Sequence, residues 1–339
     1  MKRRYIECSE VSPVRKKSMI VTVFAAISLL VMILDSKRAL IGAQEGVSLC
    51  IRSVIPSLLP FLFFSSILTE GTRCANAVIM RPLSWLWRIP KGAESILLVG
   101  ILGGYPTGAH SVSSAYEQGR ISKTTAQRML AFCNNCGPAF IFGILGNFFE
   151  KTWETSALWL IHLLSSAIVS WLMPQSGGIT PAKETESIRP DHLLKRSLSV
   201  IAQICGWVIL FRMLLTFIDE GFGFIMPISV QPLLYGLLEI TNGCLSLHLI
   251  PDSGVRFIIC SVILAMGGFC VTMQTTSITS QDLKLSHYCF GKLMQAAISA
   301  ALSAFVAVTS APVVSYTLQA PLALVIARRV ASPFLIMNA

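Results

Sequence analysis

Long runs of apolar residues, separated by short polar segments, are the feature of this sequence that most limits its fold. Examples cover residues 18–34, 155–173, 197–218 and 286–308. Each is close in length to the roughly 20 residues that an α-helix needs to cross a hydrocarbon core about 30 Å thick. Only 13% of the residues are charged, whereas soluble domains carry about 25%. The sequence therefore predicts an all-α polytopic membrane protein, excludes a disordered chain and argues against a soluble globular domain.

The chain is basic, with a net charge of +10 from 27 Lys and Arg against 17 Asp and Glu. Its basic residues cluster at the ends of the apolar runs, as juxtamembrane residues do, and this distribution disfavours nucleic-acid binding. The basic segment 1–17 precedes the run 18–34, which is long for a signal peptide and is followed by Asp35-Ser36-Lys37-Arg38 instead of a cleavage site. We expect an uncleaved first transmembrane helix with a cytoplasmic N-terminus.

The segment 93–118 contains an apolar piece that is too short to span a membrane alone. The apolar residues 96–104 lead into Gly103-Gly104-Tyr105-Pro106-Thr107-Gly108, and a weakly polar helix is predicted over 109–118. Short helices joined by Gly and Pro are typical of re-entrant hairpins. The alternative is that Gly and Pro are simply more frequent in membrane helices than in soluble ones.

A second interruption follows about 30 residues later. Ser122 is placed to cap a helix over 124–133, which breaks at Asn134-Asn135-Cys136-Gly137-Pro138 before an apolar half-helix over 139–149. A break flanked by polar side chains is typical of the discontinuous helices of transporters.

A polar linker divides the chain, and the second half resembles the first. Gly267-Gly268-Phe269-Cys270-Val271-Thr272 aligns with the Gly103–Gly108 run, and Gln274-Thr275-Thr276-Ser277 aligns with His110-Ser111-Val112-Ser113. If the first hairpin returns to the side it entered from, the halves form inverted-topology repeats with re-entrant hairpins and broken helices. The predicted organisation is a cytoplasmic N-terminal segment (1–17), a first transmembrane helix and loop (18–45), repeat 1 (46–173), the linker (174–196), repeat 2 (197–329) and a C-terminal tail (330–339).

Polar residues near the breaks are the candidates for binding a solute, because polar groups inside a membrane are costly and usually functional. Half-helices that begin near Thr107 and after Pro138 would point N–H groups at an anion. For each Ser and Thr, the alternative is close packing between helices. The candidate substrate-binding residues are Tyr105, Thr107, His110, Ser111, Ser113, Ser114, Asn134, Asn135, Arg212, Gln274, Thr275, Thr276 and Ser277.

Three charged residues lie within apolar segments and have two interpretations each. Arg52 is close to the start of its predicted span, 47–68, and is interpreted as reaching the interface. Arg212 is more central, so pairing with a solute carboxylate and snorkelling both stay open. Glu239 is interpreted as interfacial, with a proton-coupling carboxylate as the alternative.

The sequence carries no recognisable enzyme or metal motif. Cys133 and Cys136 have the Cys-x-x-Cys spacing, but no second pair and no nearby His completes a zinc set. No phosphate-binding glycine loop, His-Glu-x-x-His pair or nucleophile elbow is present. We therefore expect no metal, no cofactor and no enzymatic activity.

Three segments carry a resemblance to a known family: Gly104-Tyr105-Pro106-Thr107-Gly108-Ala109, residues 117–121 and residues 131–138. They resemble the sporulation integral membrane proteins of the YlbJ type, which carry nucleoside-recognition, or gate, domains and are distantly similar to concentrative nucleoside transporters. The resemblance implies a gate-like fold for both repeats and passage of dipicolinic acid across the outer forespore membrane during sporulation.

Two alternatives to dipicolinate transport stay open. One is transport of nucleosides or another small solute, and the other is a non-transporting structural or signalling membrane protein needed for spore maturation. The expected partners are a small solute and the lipid bilayer, together with a second copy of the chain or other sporulation membrane proteins, and no nucleic acid.

Overall fold

A computed structural model describes residues 13–71, 81–143, 145–147, 149, 152–175, 189–222, 227–228 and 230–317. Within these residues every regular element is helical and no β-strand occurs. The α-helices are α1 (Pro13–Leu34), α2 (Ser36–Leu49), α3 (Ile55–Gly71), α4 (Arg81–Leu86), α5 (Glu94–Gly103), α6 (Thr107–Glu117), α7 (Lys123–Cys133), α8 (Pro138–Gly143), α9 (Thr152–Leu172), α10 (Pro190–Phe222), α11 (Gln231–Leu238), α12 (Ile240–Leu245), α13 (Ser253–Met266), α14 (Gly268–Ile278) and α15 (Ser286–Thr317). A π-helix, Cys50–Val54, joins α2 to α3, and short 3-10 helices occur at Leu145–Asn147 and Ser246–Leu249.

Four segments among the described residues are long and apolar enough to cross a membrane. They are Trp153–Leu172, Pro190–Gly221, Ser253–Ile278 and Ser286–Thr309, with mean hydropathies between 1.5 and 2.1. A fifth is present if Ser36–Val54 and Leu58–Phe64, which meet at a bend of 50°, form one span. Large apolar side chains lie exposed along these segments, including Leu160, Leu210 and Phe305. The predicted all-helical membrane architecture is therefore confirmed.

Two pairs of short helices fold back on themselves through close glycine contacts. In the first pair, α5 and α6, a Cβ atom on Gly100 would lie 3.3 Å from the Cα of Gly108. In the second pair, α11 and α12, a Cβ atom on Gly243 would lie 2.2 Å from the Cα of Gly236. Small residues allow helix backbones to approach this closely, so both pairs are tight helical hairpins.

The second fold-back occurs at a different place from the one that the sequence alignment predicts. Gly267 adopts a left-handed φ of +72°, and α14 begins at the next residue. Gly268 also has a positive φ, of +79°, but the chain from Ser253 to Ile278 continues through both glycines as one candidate membrane span. The reversal lies instead at Glu239, between α11 and α12.

The predicted interruption after α7 is present. α7 ends at Cys133, residues 134–137 are non-helical, and α8 begins at Pro138. The Ser122 cap is also confirmed, since its side chain accepts a hydrogen bond from the N–H of Thr125 at 3.2 Å. The predicted half-helix over 139–149 is shorter than expected, because α8 ends at Gly143.

Several predicted boundaries shift. The helix predicted to begin at Ser197 begins at Pro190, which shortens the polar linker. α15 continues beyond the apolar run 286–308 and ends at Thr317. Residues 318–339, which include the end of repeat 2 and the tail, lie outside the described residues, as do residues 1–12 and 72–80.

The long helices pack around these shorter elements. α15 packs against α7, α9 and α13, and α10 packs against α2 and α3. Gly291 of α15 lies so close to α7 that a Cβ atom there would be 2.3 Å from the carbonyl oxygen of Ala131. The hairpin of α5 and α6 contacts α7 in the same way, because a Cβ atom on Gly108 would lie 2.1 Å from the carbonyl oxygen of Cys133.

The Gly108→Ala substitution is expected to destabilise the protein, because the added methyl group overlaps the Cys133 carbonyl. Overpacking of this kind costs about 1–3 kcal/mol, so the melting temperature of the purified protein in detergent should fall by several degrees. Gly206→Ala in α10 is the control, since no atom lies within 4 Å of the position of its new Cβ. Equal melting temperatures for the two variants would contradict the close packing of α6 against α7.

Candidate functional site

A cavity of about 440 Å³ lies where both hairpin tips meet the break after α7. Its volume falls in the usual range for small-molecule sites. The lining comes from the α5–α6 tip, the break after α7, the α11–α12 tip, α14, the π-helix with the start of α3, and α10. The lining residues are Leu49, Arg52, Ser53, Val54, Pro56, Leu58, Phe61, Gly103, Gly104, Tyr105, Cys136, Gly137, Ala139, Phe140, Ile204, Val208, Glu239, Ile240, Thr241, Val271 and Gln274.

Bare backbone forms one wall of this cavity. A Cβ atom on Gly104 would lie 2.8 Å from the N of Gly137, and one on Gly137 would lie 2.9 Å from the Cα of Gly104. Gly104 also has a φ of +77°, a conformation that glycine adopts without steric cost. The tip of the first hairpin therefore rests directly on the break between α7 and α8.

Asn134 ties the break to two other elements. Its Oδ1 accepts a hydrogen bond from the N–H of Ala109 at 3.3 Å, in the first turn of α6. Its Nδ2 donates to Oγ1 of Thr275 in α14 at 3.0 Å. Asn134 and Thr275 are both fully buried and neither lines the cavity, so these two predicted residues meet behind the cavity wall.

Asn135 begins a buried chain of hydrogen bonds that ends at Tyr105. Asn135 donates to the carbonyl oxygen of Phe132 at 2.7 Å and accepts from Nε2 of Gln295 at 3.1 Å. Gln295 accepts from Nζ of Lys292 at 2.7 Å, and Lys292 also donates to the hydroxyl of Tyr105 at 2.9 Å. Tyr105 lines the cavity, so the chain connects the break to the cavity.

Lys292 and Gln295 were not among the residues singled out from the sequence. The signal was nevertheless present, because Lys292 is a charged residue within the predicted span 286–308 and intramembrane charges are usually functional. Lys292 is 4% exposed and its Nζ lies 4.9 Å from the centroid of the Tyr105 ring.

Glu239 occupies the tip of the second hairpin. Its carboxylate accepts hydrogen bonds from the N–H groups of Thr241 at 3.0 Å and Asn242 at 2.8 Å, and from Nδ2 of Asn242 at 2.6 Å. It therefore caps the N-terminus of α12. At 3% exposure Glu239 is buried beside the cavity, not at an interface.

Arg212, a predicted binding residue, does not line the cavity. Its guanidinium is paired with Glu45, with nitrogen–oxygen distances of 2.7 and 3.0 Å, and it donates to Oδ1 of Asn242. Arg212 thus stabilises the second hairpin without lining the cavity, because it binds Asn242, the residue that Glu239 also binds.

Arg52 lines the cavity from the π-helix that joins α2 to α3. The sequence places Arg52 near the start of a span because the apolar run begins at about residue 47, but the helix itself begins at Ser36. Arg52 therefore lies about midway along the bent segment from Ser36 to Phe64. π-helical segments are frequently associated with functional sites.

The other predicted residues divide into those at the cavity and those away from it. Tyr105 and Gln274 line the cavity. Ser113 and Ser114 lie near the far end of α6, where Ser113 accepts from the N–H of Ser280 and Ser114 accepts from Arg196. The remaining residues are Thr107, which donates to the Gly104 carbonyl, the buried His110 and Ser111, Thr276, which donates to the Thr272 carbonyl, and Ser277, which accepts from Trp207.

Together, these observations define an integral membrane protein with several helical spans and a small cavity at its helix interruptions. The chain is 26% identical to the "Sporulation integral membrane protein YlbJ" of Bacillus subtilis (strain 168), in an alignment covering 76% of this chain and 75% of the relative. The resemblance to the YlbJ-type sporulation integral membrane proteins is thereby confirmed. No protein-family model and no solved structure matches the chain significantly.

The Thr275→Val substitution tests the bond between α14 and the break. It leaves Nδ2 of Asn134 buried without its partner, which costs about 1–3 kcal/mol and should lower the melting temperature in detergent. The neighbouring Thr276→Val is a matched control, because Thr276 is exposed and bonds only within its own helix. Equal melting temperatures for the Thr275→Val and Thr276→Val variants would contradict the bond between Asn134 and Thr275.

Proposed function

We propose that this protein moves a small carboxylated metabolite across a membrane, and that the metabolite is dipicolinic acid. The observation that carries the proposal is the 440 Å³ cavity at the meeting point of the helix interruptions, with Arg52 in its lining. Discontinuous helices beside a binding site are a recurring plan in secondary transporters. The printed name of the relative in Bacillus subtilis, a sporulation integral membrane protein, supports a role in spore formation.

The positive charge of Arg52 in the cavity lining supports an anionic solute. This side chain, and not the N-termini of helices, would bind the solute. The first-turn amide of Ala109 in α6 is bonded to Asn134, and the first turn of α12 is bonded to Glu239. The sequence predicts anion-binding N–H groups at the starts of α6 and α8, and there the amides of Ala109, Phe140 and Ile141 already have partners within the protein. Arg52 is the basic residue among those lining the cavity, and a guanidinium can bind a carboxylate through two parallel hydrogen bonds.

The position of Arg52 supports the same role. Like Arg81, Arg88, Arg128 and Arg256, Arg52 has no carboxylate within 4.0 Å among the described residues, but of these five arginines it is the one that lines the cavity. A solute carboxylate would provide the missing counter-charge. Because dipicolinate is small, flat and doubly negative, it matches this need better than a neutral solute does.

One observation favours a second candidate, a nucleoside. Glu239 is an acceptor in the cavity lining, and Gln274 and Thr241 lie beside it. A carboxylate repels a dianion but accepts hydrogen bonds from sugar hydroxyls. Transport of a nucleoside is therefore the alternative that the experiment must separate from transport of dipicolinate.

The order of the helices along the chain supports an alternating-access mechanism for either solute. A folded-back helix pair, an interrupted helix and a long helix follow one another twice, first in α5–α9 and then in α11–α15. We interpret these series as the inverted repeats that the sequence predicts, with Glu239, and not Gly267, as the counterpart of the first hairpin tip. Placement in the outer forespore membrane or the cell membrane with a cytoplasmic N-terminus, absence of enzymatic activity and assembly with further copies or other sporulation membrane proteins belong to the same proposal.

Flux measurements on the purified full-length protein in lipid vesicles test the proposal. Labelled dipicolinate should cross vesicles that contain the protein and not vesicles that lack it. Arg52→Gln should lower this flux roughly tenfold or more, because a hydrogen bond to a charged group contributes about 1.5–3 kcal/mol. Arg189→Gln is the control, since Arg189 is exposed and pairs only with Asp191 in the described structure.

The outcomes distinguish the candidate functions. Flux of uridine but not dipicolinate, lost in Glu239→Gln and kept in Arg52→Gln, would replace the proposal with nucleoside transport. Flux of neither solute through folded protein would favour a structural or signalling role.

A further inference from the structure

Among the described residues, Lys292 carries a buried amine near the cavity that the binding of a single carboxylate at Arg52 leaves unused. Lys292 lies in α15, within the span Ser286–Thr309, and is 4% exposed. Its Nζ donates to the Tyr105 hydroxyl at 2.9 Å and to Oε1 of Gln295 at 2.7 Å. Both partners are neutral, and an ammonium group has three N–H donors.

No carboxylate of the described residues lies within 4.0 Å of this ammonium nitrogen. An isolated charge in a membrane interior is costly unless an opposite charge or strong dipoles compensate it. The compensation provided here by a hydroxyl, an amide oxygen and the face of an aromatic ring is partial. The site is therefore more favourable when a negative charge comes near.

Tyr105 connects this amine to the cavity. The residue lines the cavity, its hydroxyl accepts from Lys292, and its ring centroid lies 4.9 Å from Nζ. A solute resting against Tyr105 is thus one side chain away from the ammonium group. In surroundings of low dielectric constant, a charge acts strongly over such a distance.

We propose that Lys292 is a specificity-determining residue of this cavity, and that its positive charge, added to that of Arg52, selects doubly negative solutes over singly charged and neutral ones. The inference rests on the proposed function and deepens it. Arg52 lines the cavity from the π-helix, and Lys292 lies behind Tyr105 on α15. Two separated cations match a flat solute that carries two carboxylates, whereas one cation is sufficient for a monocarboxylate.

Three ring compounds of the same shape test the inference: pyridine-2,6-dicarboxylate, pyridine-2-carboxylate and pyridine-2-carboxamide. Their binding is measured on the full-length protein in lipid nanodiscs. The wild type should bind the dianion at least tenfold more tightly than the monoanion. Lys292→Gln, which keeps hydrogen-bonding groups beside Tyr105 and Gln295 but loses the charge, should reduce this ratio about tenfold, and Lys292→Arg should restore most of it.

The controls separate charge selection from simple support of the fold. Lys284→Gln removes an exposed lysine and should leave all three affinities unchanged. If Lys292→Gln weakens the three compounds equally, Lys292 only supports Tyr105 and the inference is overturned. If Lys292→Gln fails to fold, Lys292→Arg decides: it preserves the ratio when charge selects the solute and lowers all three affinities equally when the lysine only supports the fold.

The same binding measurements also distinguish an error in the proposed transport function from an error in the role of Lys292. Wild-type protein that binds none of the three compounds would overturn the proposed transport of a carboxylated solute. Wild-type protein that prefers the dianion, with the same preference in Lys292→Gln, would overturn only the role of Lys292.

Discussion

Helices that stop inside an apolar protein leave backbone N–H and C=O groups that lipid cannot satisfy, and the rest of this structure depends on how those groups are paired. Asn134 pairs with the first turn of α6, and Glu239 pairs with the first turn of α12. The hydroxyl of Tyr105 donates to the carbonyl oxygen of Leu264 near the end of α13. With these groups paired, the chain can keep interrupted helices around a cavity without a bound solute.

This pairing divides the buried polar residues into two groups with different roles. Asn134, Asn135, Thr275 and Arg212 hold the interrupted elements together, and none of them lines the cavity. Arg52 lines the cavity without a carboxylate partner among the described residues, and Lys292 reaches it through Tyr105. Arg52 and Lys292 are therefore two cationic side chains close to the same space, which the carboxylate of Glu239 also lines.

The parts of the site that the sequence predicted are those where the turn is made by Gly, Pro or Asn. The first hairpin tip at Gly104, the break at Asn134 and the cap at Ser122 follow from residues whose backbone preferences are intrinsic. The sequence alignment places the second tip at Gly267, whereas the chain reverses at Glu239. That turn is closed by a carboxylate bonded to the following amides, and a lone Glu in an apolar segment carries no turn preference from which this could be read.

The positions and partners of the charged residues were also beyond what the local sequence predicts. Hydropathy locates the span of Arg52 at residues 47–68 and so predicts that Arg52 lies at an interface, whereas the helix continues back to the more polar Ser36. Lys292 and Gln295 stand three residues apart in α15, but their partners Tyr105 and Asn135 are separated from them by 187 and 160 residues.

The amino-acid sequence by itself determined that this chain is helical, that it lies in a membrane and that its helices are interrupted, because apolar length and backbone preference are local properties. Only the tertiary structure decided which polar residues meet, which charges are compensated and which remain beside the cavity. Those outcomes depend on contacts between distant segments, and no local pattern encodes them.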